Sequence, residues 1–462
     1  MATTLVLLEV TSIFSAVWAA IELWVRPLLA NSADMASLLA PAVTLSLCCA
    51  VAFYYNDLYD FRTVRRFQEF ASRLPRCVVI VMILSVPLYG VVLQDKMTLG
   101  AFTASLLLTI GVVLLLRAVW YAVIQCPTLS QRVLILGATP LSRLLRQAFD
   151  TQPLCTVVDI VDDPAQLNKK IEETKPDRVI VAVTERRGQL PVQQLLEARM
   201  RGIIVEDGAE VYERLTGKLA IELLTPSSLI FWKDFRKSRL HLAIARGISL
   251  LVAVIGMVGL APLFGLIALA IKLDSRGPIF CVQDRVGMAG KRFKMVKFRT
   301  MHPHDGDAAL WFQDNGNRVT RVGRWLRKFR FDELPQLLNI LQGHMALVGP
   351  RPQRVPKFEL LILVSRNAPE CGEPIPYYSL RSMVRPGITG WAQVRYRYAT
   401  DLDEEIEKLR YDLYYIKHMS LWLDLRILFD TVKIVVSGRG SDAVDRTQTR
   451  AGLRGEGLDR AA

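Results

Sequence analysis

Before Arg132 the chain carries four apolar stretches, at about residues 5–25, 33–54, 77–94 and 99–124. Each approaches the ~20 residues that an α-helix needs to cross a bilayer. The first is the weakest, because Glu9 and Glu22 interrupt it. It has no basic leading region and no small-residue cleavage site, so it reads as a span and not as a signal peptide. The connection "RTVRRFQEFASRLPR" between the second and third stretches carries five arginines. The excess of basic residues on cytoplasmic loops then predicts that this loop, the N-terminus and everything after Ile124 face the cytoplasm.

After the fourth stretch the period changes. "RVLILGATP" reads as a buried strand ending in a glycine turn, with a helix beginning near Pro140. "TVVDIVD", "RVIVAV" and "GIIVED" read as further strands with helical stretches between them, the pattern of a βαβ, Rossmann-like sheet. A dinucleotide site needs Gly-x-Gly-x-x-Gly after the first strand. Here Gly137 is the one glycine of the three, and Pro140 removes a backbone N–H that could face phosphate. The expectation is a sheet serving regulation or dimer contact.

A second long apolar segment runs from Leu242 to Leu273, with Pro262 in its middle and Gly256, Gly259 and Gly265 nearby. Proline in a helix interior removes a hydrogen bond and bends the helix. Arg246 and Lys272 stand near its two ends. A re-entrant hairpin over 242–273, broken at Ala261-Pro262, keeps both cationic ends and the basic region that follows on the cytoplasmic side. A kinked transmembrane helix would put that region outside, against the charge rule.

The chain has 462 residues, room for two or three domains; 51% are hydrophobic, yet the net charge is +14. Apolar segments with excess Lys and Arg suggest a membrane protein whose basic face meets anionic lipid or a phosphorylated substrate. The seven cysteines show no CxxC and no ligand-like spacing, so they are expected to be reduced, packed thiols. Residues 274–437 are polar enough to fold in water. "GPIFCVQDRVGMAGKRFKMVKFRTM" predicts two strands joined by a Gly-Met-Ala-Gly turn, and Arg285, Lys291, Arg292, Lys294, Lys297 and Arg299 make it a cationic ribbon. It lacks an aromatic stacking platform and a recognition-helix pattern, so lipid headgroups or a diphosphate suit it better than nucleic acid.

Candidate chemistry centres on "FRFDELPQLLNILQGHMALVGPRP", Phe329 to Pro352. Pro335 is expected to be the first helical residue, Leu334, Leu337, Leu338 and Leu341 follow at helical spacing, and Gly343 can end the helix. Asp332 and Glu333 would then sit at the positive end of the helix, whose dipole keeps carboxylates ionised and favours phosphate nearby. Arg327 and Arg330 add to that field. An ionised carboxylate beside phosphate can attack phosphorus. Adjacent residues do not share a helix face, so one acid could be the nucleophile and the other could hold a divalent cation.

"FDELPQLLNILQGHMALVGPRP", "VRPGITGWAQV" and "KFRTM", together with the broken apolar segment, resemble the bacterial sugar transferases, the monotopic polyprenyl-phosphate glycosyl-1-phosphate transferases. The resemblance covers about Arg239 to Val436. The N-terminal half resembles the family's long form, and "EKLRYDLYYIKHMSLWLDLRILFDTV" looks closest to the exopolysaccharide branch associated with exosortase systems. It implies a four-helix transmembrane domain (1–127), a Rossmann-like cytoplasmic domain (128–232), an α+β catalytic domain (239–437) with the re-entrant hairpin, and a disordered tail (438–462). It implies transfer of a hexose 1-phosphate from a UDP-sugar to undecaprenyl phosphate, releasing UMP, at the cytoplasmic face of the bacterial inner membrane, in a homodimer. Asp332 would be the nucleophile, and Glu333 would help bind Mg²⁺ beside it. Arg327, Arg351 and Arg385 match family arginines near the phosphates. Lys297, Arg299 and Arg285 belong to the cationic ribbon, which is expected to serve the same phosphates. A non-catalytic membrane scaffold of polysaccharide assembly is the alternative reading.

Four motifs depart from the family pattern. Ala245-Arg246-Gly247-Ile248-Ser249 stands for Lys-Arg-x-Phe-Asp, Ala261-Pro262 for Ser-Pro, Gly343-His344-Met345-Ala346 for Gly-Asp-Met-Ser, and Arg381-Ser382 for Arg-His. Elsewhere, "HPHD" at His302–Asp305 is expected to be a solvated loop, and Trp391 is expected to be structural, with its neighbouring glycines bringing backbone close to phosphate. The stretch Leu402–Val436 has apolar positions at helical spacing that suit core burial and interfacial insertion equally.

Overall fold

The computed structural model describes residues 2–24, 35–59, 67–88, 99–124, 130–150, 152, 154–183, 190–221, 237–302, 318–366, 378–396 and 402–436. The chain divides into two compact units, Met1–Gly208 and Ala209–Ala462.

The first unit opens with four helices: α1 (Ala2–Trp24), α2 (Met35–Tyr55), α3 (Phe67–Leu88) and α4 (Leu99–Ile124). They pack around Ile13, Val17, Leu45, Phe53, Phe70, Val81 and Val113. Helix α3 begins ten residues before the apolar stretch that signalled it, so Arg73 and Arg76 belong to a helix and not to a loop. Glu9 does not weaken α1. Its carboxylate is fully buried against the guanidinium of Arg117 on α4, which also lies over the rings of Tyr59 and Phe70. Among the described residues, Leu106–Ile124 and Arg239–Gly259 are long and apolar enough to cross a membrane; α1 and α2 contain shorter apolar runs, Leu5–Ala20 and Ala42–Tyr55.

A four-stranded sheet follows: β1 (Gln131–Leu136), β2 (Cys155–Val161), β3 (Arg178–Val181) and β4 (Ile204–Asp207), with α5 (Pro140–Phe149), α6 (Leu167–Thr174) and α7 (Val192–Met200) between them. The order is β2-β1-β3-β4 and every pairing is parallel. The loop after β1 is committed to its own neighbours. Ala138 N donates to Asp162 Oδ1 at 3.2 Å, and Thr139 Oγ1 donates to the Ala182 carbonyl at 2.7 Å. Gly137 has φ +104°, and a Cβ there would meet Val183 at 3.2 Å. The loop amide that could have met a phosphate is taken by a carboxylate.

The second unit starts earlier than the sequence pattern suggested. Helix α8 (Gly208–Thr216) and the residues after it pack on the C-terminal domain: Trp391 Nε1 donates to Gly217 O at 2.8 Å, and Leu219 and Ile221 are buried in that core. The long apolar segment is two helices, α9 (Arg239–Gly259) and α10 (Ala261–Asp274), separated at Leu260 (φ −94°, ψ 4°). Strands β5 (Phe280–Val286) and β6 (Arg292–Phe298) form an antiparallel hairpin. Helix α9 packs chiefly on the segments Gln336–Leu341 and Ala346–Val348 and shares a core with Phe293 and Met295 of β6 through Leu250, Ala253 and Met257, while α10 shares a core with Phe298 through Phe264, Ile267 and Ile271. The outer sides, including Leu251, Ile255, Val258, Leu266 and Leu269, are exposed.

Next come α11 (Arg321–Lys328), α12 (Gln336–Leu341), β7 (Ala346–Val348), α13 (Val355–Arg366), β8 (Gly387–Thr389), α14 (Trp391–Arg395), α15 (Leu402–His418) and α16 (Leu421–Val436). Strands β7 and β8 pair in parallel. The glycines here bring backbone against backbone instead of phosphate: a Cβ on Gly387 would lie 2.1 Å from Gly349 N, and one on Gly390 would lie 2.2 Å from Gly349 O. Trp391 is buried, as expected of a structural residue. The two C-terminal helices differ in burial. Helix α15 is core, with Leu409, Leu413, Tyr415 and Ile416 buried; α16 buries Leu423 and Ile427 and exposes Trp422, Leu425, Phe429 and Val432. The residues of "HPHD" after His302 and the tail after Val436 lie outside the described residues.

Candidate active site

Strand parity selects which cations of the ribbon point inward. On β6, Phe293, Met295 and Lys297 share one face, so Lys297 turns toward the core with two buried apolar residues, while Arg292 and Lys294 are exposed. On β5 the same logic turns Arg285 inward. Asn339 on α12 fixes the strand between them. Its amide donates to Lys294 O at 2.8 Å and accepts from Val296 N at 3.0 Å, replacing a neighbouring strand along this edge.

Asp332 and Glu333 lie in a 3-10 turn, Phe331–Glu333, between α11 and α12. Arg330 enters this turn with φ 58°, a left-handed backbone that costs a β-carbon residue energy. Pro335 is the residue that caps α12 and not its first residue, so the acids precede a six-residue helix by one turn. A helix this short supplies little dipole. The field at the acids comes from side chains.

Glu333 is the hub. Its Oε1 accepts from Arg351 Nη2 at 2.8 Å, Lys297 Nζ at 3.4 Å and Arg330 Nη1 at 3.4 Å, and its side chain is 7% exposed. Burial opposes its charge, but Arg351, Lys297 and Arg330 overcome that and hold the carboxyl well below the usual range. Asp332 behaves oppositely. Burial, and then the negative charge of Glu333, push its carboxyl up against the same three cations. The expectation that a helix terminus keeps both acids ionised is therefore corrected: two adjacent carboxylates share one set of cations, and Glu333 takes the bonds. Asp332 Oδ1 is buried with no hydrogen-bond partner. A buried oxygen without a partner is costly to a fold.

The other candidates separate. Arg351 and Lys297 join the pair directly. Arg285 lies near Arg351 and Arg354; burial and these two neighbours bring its guanidinium down to about 9, and it donates to Pro352 O and Gln283 Oε1. Arg327 donates from Nε to Thr300 Oγ1 at 2.9 Å. Arg299 is buried and spends its guanidinium on Ser275 O, Ser275 Oγ and Arg276 O, so it ties β6 to the end of α10 and does not face the acids. Arg385 is exposed and donates from Nε to Gly343 O. Sequence reasoning missed Asn339 and Asp412, and named Arg381 only as a family position with no role; an amide and a carboxylate in helical patterns carry no motif of their own. Ala261 and Pro262 sit at the start of α10, at the break.

The donor set suits Mg²⁺ in one manner. No cluster of three or more His, Cys, Asp or Glu occurs among the described residues. Magnesium is commonly held by one or two carboxylates with phosphate and water oxygens completing its shell, and the orphan oxygen of Asp332 beside Glu333 offers that minimum.

Comparison with known proteins places these elements. Residues 240–438 match the family model described as bacterial sugar transferase. The chain is 40% identical over 236 residues to a UDP-N-acetylgalactosamine-undecaprenyl-phosphate N-acetylgalactosaminephosphotransferase of Aeromonas hydrophila, covering 50% of this chain and about half (52%) of that relative. It is 34% identical to an undecaprenyl-phosphate glucose phosphotransferase of Komagataeibacter xylinus, covering 79% and 69% of the two chains. It is 32% identical to a UDP-glucose:undecaprenyl-phosphate glucose-1-phosphate transferase of Escherichia coli strain K12, covering 66% and 67%. The chain belongs to the bacterial sugar transferase family.

Proposed function

We propose that this protein moves a sugar 1-phosphate from a UDP-sugar to undecaprenyl phosphate, giving undecaprenyl-diphospho-sugar and UMP, the first step of exopolysaccharide or capsule synthesis. The observation that carries the reading is the unpartnered Asp332 Oδ1 beside a carboxylate held by three cations. In the first half-reaction, an Asp332 oxygen attacks the phosphorus that bears the sugar, the bond from that phosphorus to the UMP oxygen breaks, and UMP leaves. In the second, an oxygen of undecaprenyl phosphate attacks the same phosphorus and the Asp332 carboxylate is released. Phosphoryl transfer depends on positioning and on neutralising charge, which Arg351, Lys297 and Arg330 supply. Asp332 and Glu333 would hold Mg²⁺, which when bound neutralises the donor diphosphate.

The reading extends to the membrane. The first four helices cross the bilayer, the parallel sheet is a Rossmann-like cytoplasmic module, and α9 and α10 form a re-entrant hairpin. Its support is that both helices pack by one side on the core of the second unit while their outer faces are apolar and exposed. A dimer follows the family's long form. The sugar is tested with a panel: purified protein in nanodiscs, undecaprenyl phosphate, Mg²⁺, and UDP-glucose, UDP-galactose or UDP-N-acetylgalactosamine. Release of UMP with one donor, and a phosphosugar adduct at Asp332 by mass spectrometry when acceptor is omitted, are expected. Lipid binding without UMP release from any donor would leave the scaffold reading.

A further inference from the structure

We infer that Arg381 and Asp412 are positioning residues for this site, acting through Arg351; the inference rests on the proposed role of Arg351. Arg381 stands in a 3-10 turn, Tyr378–Met383, and Asp412 on α15. Their side chains are 4% and 2% exposed, and Arg381 Nη2 donates to Asp412 Oδ2 at 2.6 Å. The same nitrogen donates to the backbone carbonyl of Arg351 at 3.3 Å, and Nη1 donates to the Tyr378 hydroxyl at 2.6 Å. The guanidinium therefore grips three elements at once: α15, its own turn, and the Pro350-Arg351-Pro352 stretch.

The arrangement is costly unless it serves something. A buried ion pair rarely stabilises a fold more than apolar residues of equal volume would. Here it fixes one backbone carbonyl in a stretch whose flanking φ angles are already locked by proline. Holding that carbonyl sets where the Arg351 side chain starts, and its Nη2 reaches Glu333 Oε1 at 2.8 Å. Asp412, Arg381, Arg351 and Glu333 form one chain of contacts from the buried helix to the acids. Glu405 and Lys408 of α15 face the Arg381–Asp412 pair and complete its charge balance. A planar guanidinium can bridge a carboxylate and a carbonyl together, which a lysine ammonium on a shorter reach does not reproduce.

The test compares the full chain with Arg381→Lys and with the apolar replacement Arg381→Met/Asp412→Leu. Arg381→Lys keeps the charge. It is expected to lower kcat by about 10- to 100-fold, the scale of a misplaced catalytic geometry, with KM for the UDP-sugar changed far less. Combining it with Arg351→Lys is expected to cost little beyond Arg351→Lys alone, because both act on one contact. Hydrogen exchange is read alongside: the amides of Gly349, Arg351 and Gln353 should exchange faster in both Arg381 variants, whatever the activity. Wild-type kcat in a folded Arg381 variant, multiplying effects with Arg351→Lys, or unchanged exchange at those amides would each overturn the inference. An inactive wild-type chain that still shows the exchange change would instead sink the functional reading and leave the positioning role standing.

Discussion

Replacing Asp332 by Asn separates the cost of the site from its use. The carboxylate is buried, its Oδ1 has no partner, and the charge of Glu333 lies next to it, which together push its carboxyl up. A buried, unsatisfied polar group costs about 1–3 kcal/mol and a charged one more. Asparagine keeps the shape and still leaves one oxygen unpaired, so it recovers part of this cost, on the order of 1–2 kcal/mol. For a unit of this size that is a melting temperature roughly 2–8 °C higher. The sign with pH follows from the raised folded value. The contribution of the wild-type acid is fully present below the ordinary aspartate value of about 3.9 and is lost as pH rises through the folded one. The advantage of Asp332→Asn should therefore be absent in acid and widen toward neutral pH. Differential scanning fluorimetry of the full chain across that range, paired with a UMP-release assay, reads both quantities. A folded, more stable protein with no turnover is expected. A variant that melts below wild type at neutral pH, or one that still transfers sugar phosphate, refutes the reasoning.

Glu333→Gln should act in the other direction. Leaving three cations around a neutral amide costs on the order of 3 kcal/mol, a fall in melting temperature of about 6–12 °C. Because the folded value of Glu333 is depressed, its contribution is present above the ordinary glutamate value of about 4.3 and disappears as pH falls through the folded one, so the deficit should shrink in acid. Asp424, which accepts from the Tyr415 hydroxyl at 2.9 Å, is pushed by burial up to about 6. Its stabilising contribution is lost as pH rises through about 6, and melting curves of Asp424→Asn should gain on wild type across that interval and nowhere above it. Gly323→Ala would set a Cβ 2.2 Å from Thr300 O and should destabilise by about 1–3 kcal/mol in urea titration, with loss of the Arg327–Thr300 contact.

Much of this site was legible because its signals are local. The break at Pro262, the Gly-Met-Ala-Gly hairpin turn and the acid pair before a proline each follow from one residue type at one position. Lys297 was readable too, since strand parity puts it with Phe293 and Met295. What the sequence hid is tertiary. Nothing in "KFRTM" tells that Arg299 turns back on Ser275 and Arg276, because a guanidinium aimed at backbone carbonyls looks the same as one aimed at phosphate. The glycines of "VRPGITGWAQV" look like phosphate cradles, yet the sheet partner that fills the space above them, Gly349, is about forty residues away. Helix α8 carries no mark that it packs with the later domain. The contacts that hold it, Glu213 with Lys417 and His418, pair residues about two hundred positions apart.

The departures from the family pattern can be weighed in the same terms. Ser249, where an aspartate is usual, donates to Ala245 O and accepts from Leu347 N, and so pins α9 to β7. Arg246, which is retained, donates to Ile340 O and Met345 O, closing the carbonyl end of α12. His344 stacks on Phe293, and Ser382 bonds within its own turn. Helix α10 starts at Ala261 without a serine hydroxyl, since Leu260 N and Leu260 O are both bonded through the break. Each substituted position is satisfied where it stands, and none of these contacts involves Asp332, Glu333 or the three cations on Glu333. A scaffold that had lost its chemistry would be free to lose that cluster first, because a buried orphan carboxylate is a burden to a fold that does not use it. The cluster stands intact beside those departures, and the proposed transfer is what gives its cost a use.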